Sequence, residues 1–241
     1  MDICIVLGSA GVFKLMNAAL NSLPVPAVAR KNTWRWRNIS TSLIHSMLTG
    51  VWAVVGFYQH PEMAKDLIST HSALSHTLVS VSTGYFIYDF IDNILNQKLS
   101  VAWEVLSHHF VVVACFSIAV LTRQYVGFAV VALLVEINSV FLHVRQLLRM
   151  SGRGGGASSS SGALCRLNSV LNLGTFVAFR ISTLAWMTRW LALNRTRVPL
   201  PFYAVGSLGL LAIMVMNAVL FYRLLRSDFL QAGREGARKE K

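Results

Sequence analysis

Ionisable side chains interrupt the long apolar runs of this sequence, and their types and spacing define the chemistry that the chain could perform. An ionisable group costs about 2.5–3.5 kcal/mol at the centre of a membrane helix, so each is expected to have a partner or to line a polar cavity. The ionisable side chains within apolar runs are His45, His76, Asp89, Asp92, Glu104, His108, His109, Glu136, His143 and Arg180.

Two short spacings among these residues stand out. Glu104 and His108 are four residues apart and Asp89 and Asp92 three apart, so each pair shares one face of a helix. With His109 next to it, His108 could act in general acid–base catalysis, oriented by Glu104, or the His pair could contact a lipid headgroup. Hydrogen bonding between helices is the alternative role of the two histidines.

Deeper in the chain, Glu136 and Arg180 fall near the middle of consecutive apolar runs. Helices that are neighbours in sequence and antiparallel would bring them together, so we predict an ion pair with a structural role. We also expect interhelical hydrogen bonds from three asparagines in apolar runs, Asn138, Asn172 and Asn217.

Histidine usage argues against a metal centre. The chain has 7 His in all, and only His71/His76 and His108/His109 lie close together. Membrane di-iron enzymes need many His in repeated, closely spaced groups, so we predict no metal and no resident cofactor.

The composition identifies the elements that must position these groups. Of the 241 residues, 54% are hydrophobic and only 13% charged, about half the charged fraction of a soluble domain. Apolar runs of about 20 residues recur, each long enough to cross a bilayer. We therefore predict an all-α integral membrane protein, a bundle of six to seven transmembrane helices, at about 3–20, 39–58, 72–95, 101–121, 125–148, 167–190 and 201–222.

The net charge of +12 first suggests nucleic acid, but the basic residues lie in the short connections between apolar runs. Most of them fall on one side, which is the cytosolic side by the positive-inside rule. This orientation places the C-terminus in the cytosol. His45, Asp89, Asp92 and the His108–His109 pair then gather in the cytosolic half, which predicts a polar cavity open to the cytosol.

Several sequence elements occur in the order of a known family. They are Thr33-Trp-Arg-Trp-Arg-Asn38, His45-Ser46, Gly84-Tyr-Phe-Ile-Tyr-Asp89, Trp103-Glu-Val-Leu-Ser-His-His109, Leu134-Val-Glu-Ile-Asn138 and Leu224-Leu-Arg-Ser-Asp-Phe229. Together they resemble the TLC domain, named for TRAM, Lag-type ceramide synthases and the neuronal ceroid lipofuscinosis member. Within the family, the resemblance is strongest to the subgroup of TLC domain-containing proteins one and two. It is stronger to the second of these than to the first.

The resemblance divides the chain into segments. The TLC domain would span 30–229, after an N-terminal hydrophobic segment at 1–29 that is either a first span or signal-like; its n-region carries Asp2 rather than basic residues, which favours a retained helix. A Gly/Ser-rich stretch at 151–162 predicts a flexible loop, and 230–241 predicts a disordered cytosolic tail.

The family's acyl-transfer motif is incomplete here. In the ceramide synthases a motif His is followed by Asp, a second Asp and a Glu. The corresponding positions in this chain are Val135, Glu136, Ser139 and His143, so only His108-His109 are intact and Glu136 is a partial match. The missing motif His argues against ceramide synthesis.

The subgroup implies a function in membrane lipid homeostasis: limiting incorporation of long polyunsaturated acyl chains into phospholipids, and so setting fluidity, at the plasma membrane rather than the endoplasmic reticulum. Expected partners are membrane lipids and a lipid-remodelling enzyme or other membrane protein, with no nucleic acid. One alternative is an acyl-CoA-dependent acyltransferase using the His108-His109 pair, with acyl-CoA the one cosubstrate. Another is a transporter or channel-associated subunit, which the buried charges would fit. The candidate lipid-binding or polar-pocket residues are His45, Asp89, Asp92, Glu136 and Arg180.

Overall fold

The computed structural model describes residues 2–152 and 159–230, and within these ranges every regular element is a helix and none is a strand. The predicted fold class is therefore confirmed. The α-helices are α1 Asp2–Ala19, α2 Thr33–Gln59, α3 Ala73–Asn96, α4 Leu99–Thr122, α5 Val126–Leu133, α6 Glu136–Met150, α7 Ser159–Thr175, α8 Ser182–Leu193 and α9 Leu200–Leu225.

These elements form seven long rods. Helices α5 and α6 make one interrupted rod, and α7 and α8 make another through a π-helical turn, Phe176–Ile181. Among the described residues, six rods are long and apolar enough to cross a membrane. The chain is thus a multi-pass membrane protein, as its composition predicts.

The seventh rod, α3, is as long but more polar, and it lies at the centre. Its 24 residues would span about 36 Å. It packs against α1, α2, α4 and α5, so protein surrounds it. A capping box between Ser72 and Ser75 fixes its first turn. The polar side chains of α3 therefore meet other helices, which is where ionisable groups in a membrane are expected.

Helix α1 is packed into this core rather than lying apart from it. Ser9 Oγ donates to the Val81 carbonyl at 2.8 Å, and Phe13 is 4% exposed. Gly84 allows the two backbones to approach closely: a Cβ at this position would lie 2.3 Å from the Val6 carbonyl oxygen. This small-residue contact is typical of helix packing in membranes.

Two predicted spans are interrupted in the structure. The run predicted at 125–148 is interrupted at Leu134 and Val135, just before Glu136. There the backbone N–H groups donate to the carbonyl three residues earlier, as in a 3₁₀-helix, instead of four residues earlier. The run predicted at 167–190 contains the π-helical turn, and Arg180 lies in it. Both interruptions adjoin ionisable residues, and π-helical turns are often found at functional sites.

Two predicted segments fall largely outside the described residues. The loop predicted at 151–162 includes 153–158, which the structure does not describe, while Ser159 already begins α7. The tail predicted at 230–241 lies outside them except for its first residue. Their flexibility stays a prediction.

The contact between α1 and α3 gives a test of the packing. Gly84→Ala should lower the free energy of unfolding by about 1–3 kcal/mol, because the added methyl meets α1 backbone. The control is Gly11→Ala on α1, where nothing lies within 4 Å, and where alanine should be neutral or stabilise by up to about 1 kcal/mol. Thermal unfolding of both variants in detergent measures the difference. Equal behaviour would show that α1 does not dock on α3.

Candidate functional site

The end of the bundle that carries most of the basic residues contains a polar cluster between α2 and α3. The Asn38 side chain donates to Asp89 Oδ1 at 2.7 Å and to Asp92 Oδ2 at 3.0 Å. Asn93 donates to Asp89 Oδ2 at 2.9 Å, and Trp34 Nε1 donates to Asp92 Oδ2 at 2.9 Å. The spacing of Asp89 and Asp92 correctly predicted a shared face, and side chains fill the space between them.

Two histidines continue the polar region towards the middle of the bundle. His109 Nδ1 lies 3.2 Å from Asp89 Oδ2 without the alignment of a hydrogen bond. His45 is fully buried and stacks on Tyr85 with ring centroids 3.7 Å apart. Within the described chain, neither ring nitrogen of His45 has a hydrogen-bond partner. Such orphaned nitrogens mark places where a buried water would be stabilised.

Glu136 begins α6 directly after the helix break. Its Oε2 accepts a hydrogen bond from Ser46 Oγ of α2 at 2.6 Å. The predicted ion pair with Arg180 is wrong, because no ion pair joins the two side chains in the described part of the structure. The hydrogen bonds account for this: Ser46 of α2 donates to the Glu136 carboxylate, while the Arg180 guanidinium donates to neutral side chains.

Arg180 is held by neutral acceptors. Its Nε donates to Asn138 Oδ1 at 2.7 Å, its Nη1 to Asn217 Oδ1 at 2.9 Å and its Nη2 to Ser139 Oγ at 2.7 Å. We call these four residues the Arg180 cluster. Asn138 also donates to Asn172, so the predicted interhelical role of the three asparagines is confirmed. The cluster ties α6, α7 and α9 together at mid-depth.

Glu104 has a different partner from the one predicted. Both of its oxygens accept from Arg223 of α9, each at 2.7 Å, on the outer surface of the bundle. It therefore does not orient His108. Sequence spacing within α4 showed only which residues share a helix turn, and the partner comes from a helix about 120 positions away in the chain.

An apolar cavity of about 150 Å³ lies between α4, α5, α8 and α9. His108 and Glu136 lie at one end of it, which we call the inner end. From there the lining runs past Val112, Cys115 and Ala132 to Tyr125 and Phe202 at the outer end, whose rings are 5.7 Å apart. The sequence predicted a polar cavity that opens towards the cytosolic side. The cavity in the structure is instead almost wholly apolar, and it extends from His108 away from the basic end of the bundle.

The outer end of the cavity is braced by the connection between α2 and α3. Leu67 is 1% exposed and fits against Gly127, where a Cβ would lie 2.9 Å from its side chain. The Ser69 hydroxyl donates to the neighbouring Asp66 carboxylate and lowers its pKa below the ordinary value. Asp66 also pairs with Arg197 in the α8–α9 connection at 3.5 Å. These contacts join the two loops over the outer end.

The sequence of the chain is similar to those of several known proteins. The TLC domain family model matches residues 35–226. The chain belongs to the TLC domain family. It is 61% identical to zebrafish TLC domain-containing protein 2 over 97% of this chain and 93% of the relative. It is 40% identical to human TLC domain-containing protein 2 over 91% and 81%, and 36% identical to chicken TLC domain-containing protein 1 over 97% and 90%. No solved structure matches.

Membership of the TLC domain family allows the lining of the cavity to be compared with the motif of the ceramide synthases. Val135, the position at which the family resemblance predicts the motif His of the ceramide synthases, lines the cavity beside Glu136. The next two motif positions are Ser139, which holds Arg180, and His143, whose Nδ1 is buried without a partner among the described residues. The cavity lining thus has an apolar side chain at position 135, and His108 is the one imidazole that borders the cavity in the described chain.

Sequence reasoning placed Asn38, Ser46, Ser139 and Tyr85 in family motifs but assigned none of them a role in the site. All four are neutral, so a search for ionisable residues passed over them. A weak signal existed for α2, where Asn38 and His45 are seven residues apart and Ser46 follows, which puts polar side chains on the face that meets α3 and α6.

The Arg180 cluster predicts a stability difference between two arginines. Arg180→Leu should lower the free energy of unfolding by at least about 3 kcal/mol, because three buried acceptors lose their donor. Arg223→Ala removes an exposed pair and should change unfolding little. Thermal unfolding in detergent compares them. A small effect at Arg180 would mean that the cluster does not hold the helices together.

Proposed function

We propose that this protein limits the incorporation of long polyunsaturated acyl chains into membrane phospholipids, and so controls membrane fluidity, without ceramide synthase activity. The observation that carries the proposal is the apolar cavity with His108 and Glu136 at its inner end. Family membership supports a role in membrane lipids. The valine at position 135 supports the absence of acyl transfer to a sphingoid base.

The cavity has the properties of a lipid-chain site. It is lined by aliphatic and aromatic side chains with polar groups at one end, which is the usual form of a small-molecule site. Two glycines of α9, Gly206 and Gly209, leave room on its wall; a Cβ at Gly209 would already lie 3.2 Å from Val111. A chain bound here would be withdrawn from the surrounding lipid, which is a direct route to changing which chains reach a remodelling enzyme.

The proposal includes the setting in which the protein acts. The plasma membrane is the proposed location, and the C-terminus is proposed to face the cytosol, supported by the basic residues at that end. A lipid-remodelling enzyme is the proposed partner. The exposed Glu104–Arg223 pair between α4 and α9 is available on the bundle surface at this end.

An acyl-CoA-dependent acyltransferase is the second candidate, favoured by one observation: His108 borders the cavity, where it could accept a proton from an attacking acceptor group. The predicted support from Glu104 is absent, because Arg223 occupies that carboxylate. His109 could contribute only through its contact with Asp89. The leading proposal needs none of these groups to react.

The leading proposal is tested by acyl-resolved phospholipid profiling in cells that lack the protein. Loss should raise long polyunsaturated chains in phospholipids, and wild type should restore the profile. Ala132→Phe, which fills the cavity, should not restore it, whereas Leu208→Phe, on the lipid-facing side of α9, should. An unchanged profile after loss of the protein would refute the proposed function.

The second candidate is tested with purified protein, labelled acyl-CoA, and a lysophospholipid or sphingoid base as acceptor. The leading proposal predicts no transfer above a protein-free control. Transfer that is present in wild type, lost in His108→Ala and kept in His76→Gln would establish the acyltransferase instead; His76 is a matched control because it contacts the Val120 carbonyl, away from the cavity.

A further inference from the structure

The cavity occupies only one half of the bundle's depth. On α4 its lining begins at His108 and continues to Ala119, and on α9 it runs from Phe202 to Ile213. On α8 it begins at Leu184. Every lining residue is thus at the level of His108 and Glu136 or closer to the Tyr125–Phe202 end.

The cavity is closed towards the basic end of the bundle. One helical turn beyond Leu184 and Ile213 lie Arg180 and Asn217, which belong to the Arg180 cluster, and Phe176 below them is fully buried against Phe221. A chain could not pass from the basic end of the bundle into the cavity without breaking the three hydrogen bonds of the guanidinium. Access is therefore from the side or from the outer end.

The depth of the cavity matches one leaflet. The eleven steps from His108 to Ala119 rise about 16 Å along α4, and half of a typical hydrocarbon core is about 15 Å. Val205 lines the cavity and is also 38% exposed on the bundle surface, so the wall beside α9 borders surrounding lipid.

Unpaired cations lie at the outer end. Arg123 and Arg197 are neutralised there by Asp2 and Asp66. Arg189 of α8 and Arg195 just after it are exposed and form no ion pair among the described residues. Arg195 is eleven positions beyond Leu184, or about 16 Å at the helical rise, which corresponds to the headgroups of the leaflet that surrounds the cavity. Arg189 is about 8 Å beyond Leu184, so its long side chain must extend outwards to reach the same phosphate.

We propose that the cavity holds one acyl chain of an intact phospholipid from the non-cytosolic leaflet, with its phosphate near Arg189 and Arg195 and its chain end towards His108 and Glu136. This inference rests on the proposed function and narrows its ligand to a membrane-resident lipid instead of a cytosolic CoA thioester. Because the inner end is polar, a chain that reaches it must bury its apolar terminus against a carboxylate and an imidazole, so the cavity selects by chain length.

The test uses phosphatidylcholine carrying a diazirine near the end of one acyl chain, introduced into the outer leaflet of phosphatidylcholine vesicles that contain the full chain. Protease access to the C-terminal tail separates the two orientations. Because the label is near the chain end, cross-links within 108–112 and 209–213 are expected, and only where the Tyr125–Phe202 end faces the labelled leaflet. A diazirine acyl-CoA offered at the basic end should give none there.

Filling variants show whether the label reports the cavity. Ala132→Phe should reduce cross-linking about tenfold, whereas Leu208→Phe should leave it within about twofold. Val112→Trp, from α4, fills the cavity independently and is used if Phe at 132 alters the elution or melting of the protein. Equal labelling of filled and control variants, or cavity cross-links from acyl-CoA at the basic end, would overturn the proposal.

The same variants separate this site from the proposed function. Loss of cross-linking in Ala132→Phe, together with full rescue of the cellular acyl profile, would keep the lipid site and refute its role in acyl composition. Unchanged cross-linking with failed rescue would refute the phospholipid site and leave the cavity with a role in acyl composition that does not depend on holding this lipid.

Discussion

The guanidinium of Arg180 is partly buried at mid-depth, and a charge withdrawn from water requires its surroundings to supply hydrogen-bond acceptors. Asn138 and Ser139 of α6 and Asn217 of α9 meet that demand, and the π-helical turn places the side chain between them. Because the acceptors come from separate helices, satisfying one cation fixes the relative positions of α6, α7 and α9. The polar cluster at Asp89 and the apolar cavity are arranged on either side of this contact.

The interior is consequently divided into two parts. At the basic end, between α2, α3 and α4, it is polar and filled by Asn38, Asp89 and the histidines that follow them. Between α4, α5, α8 and α9 it is apolar and open enough to hold a chain. Glu136 and His108 lie at the boundary, directly after the helix break in the case of Glu136. A lipid chain would thus meet polar groups only at its end.

The sequence was sufficient for the bundle, the number of rods, the buried ionisable residues and the interhelical asparagines, because each of these depends on composition or on spacing along one helix. The partners of Glu136, Arg180 and Glu104 were not predictable in the same way. They depend on how helices distant in sequence are rotated about their axes, and on the interruptions at Leu134–Val135 and at the π-helical turn. The cavity was missed because an apolar lining residue and an apolar packed residue have the same sequence pattern.

The proposed lipid site requires that the cavity is closed at the basic end of the bundle and is occupied from the leaflet at the opposite end. An electron cryo-microscopy map of the full chain in phospholipid nanodiscs measures both. Continuous chain-like density is expected from the Tyr125–Phe202 pair to His108, with the Arg180 cluster intact on the side of the basic end. Density that enters from the basic end through a displaced Arg180, or a cavity collapsed by contact between α4 and α9, would contradict it.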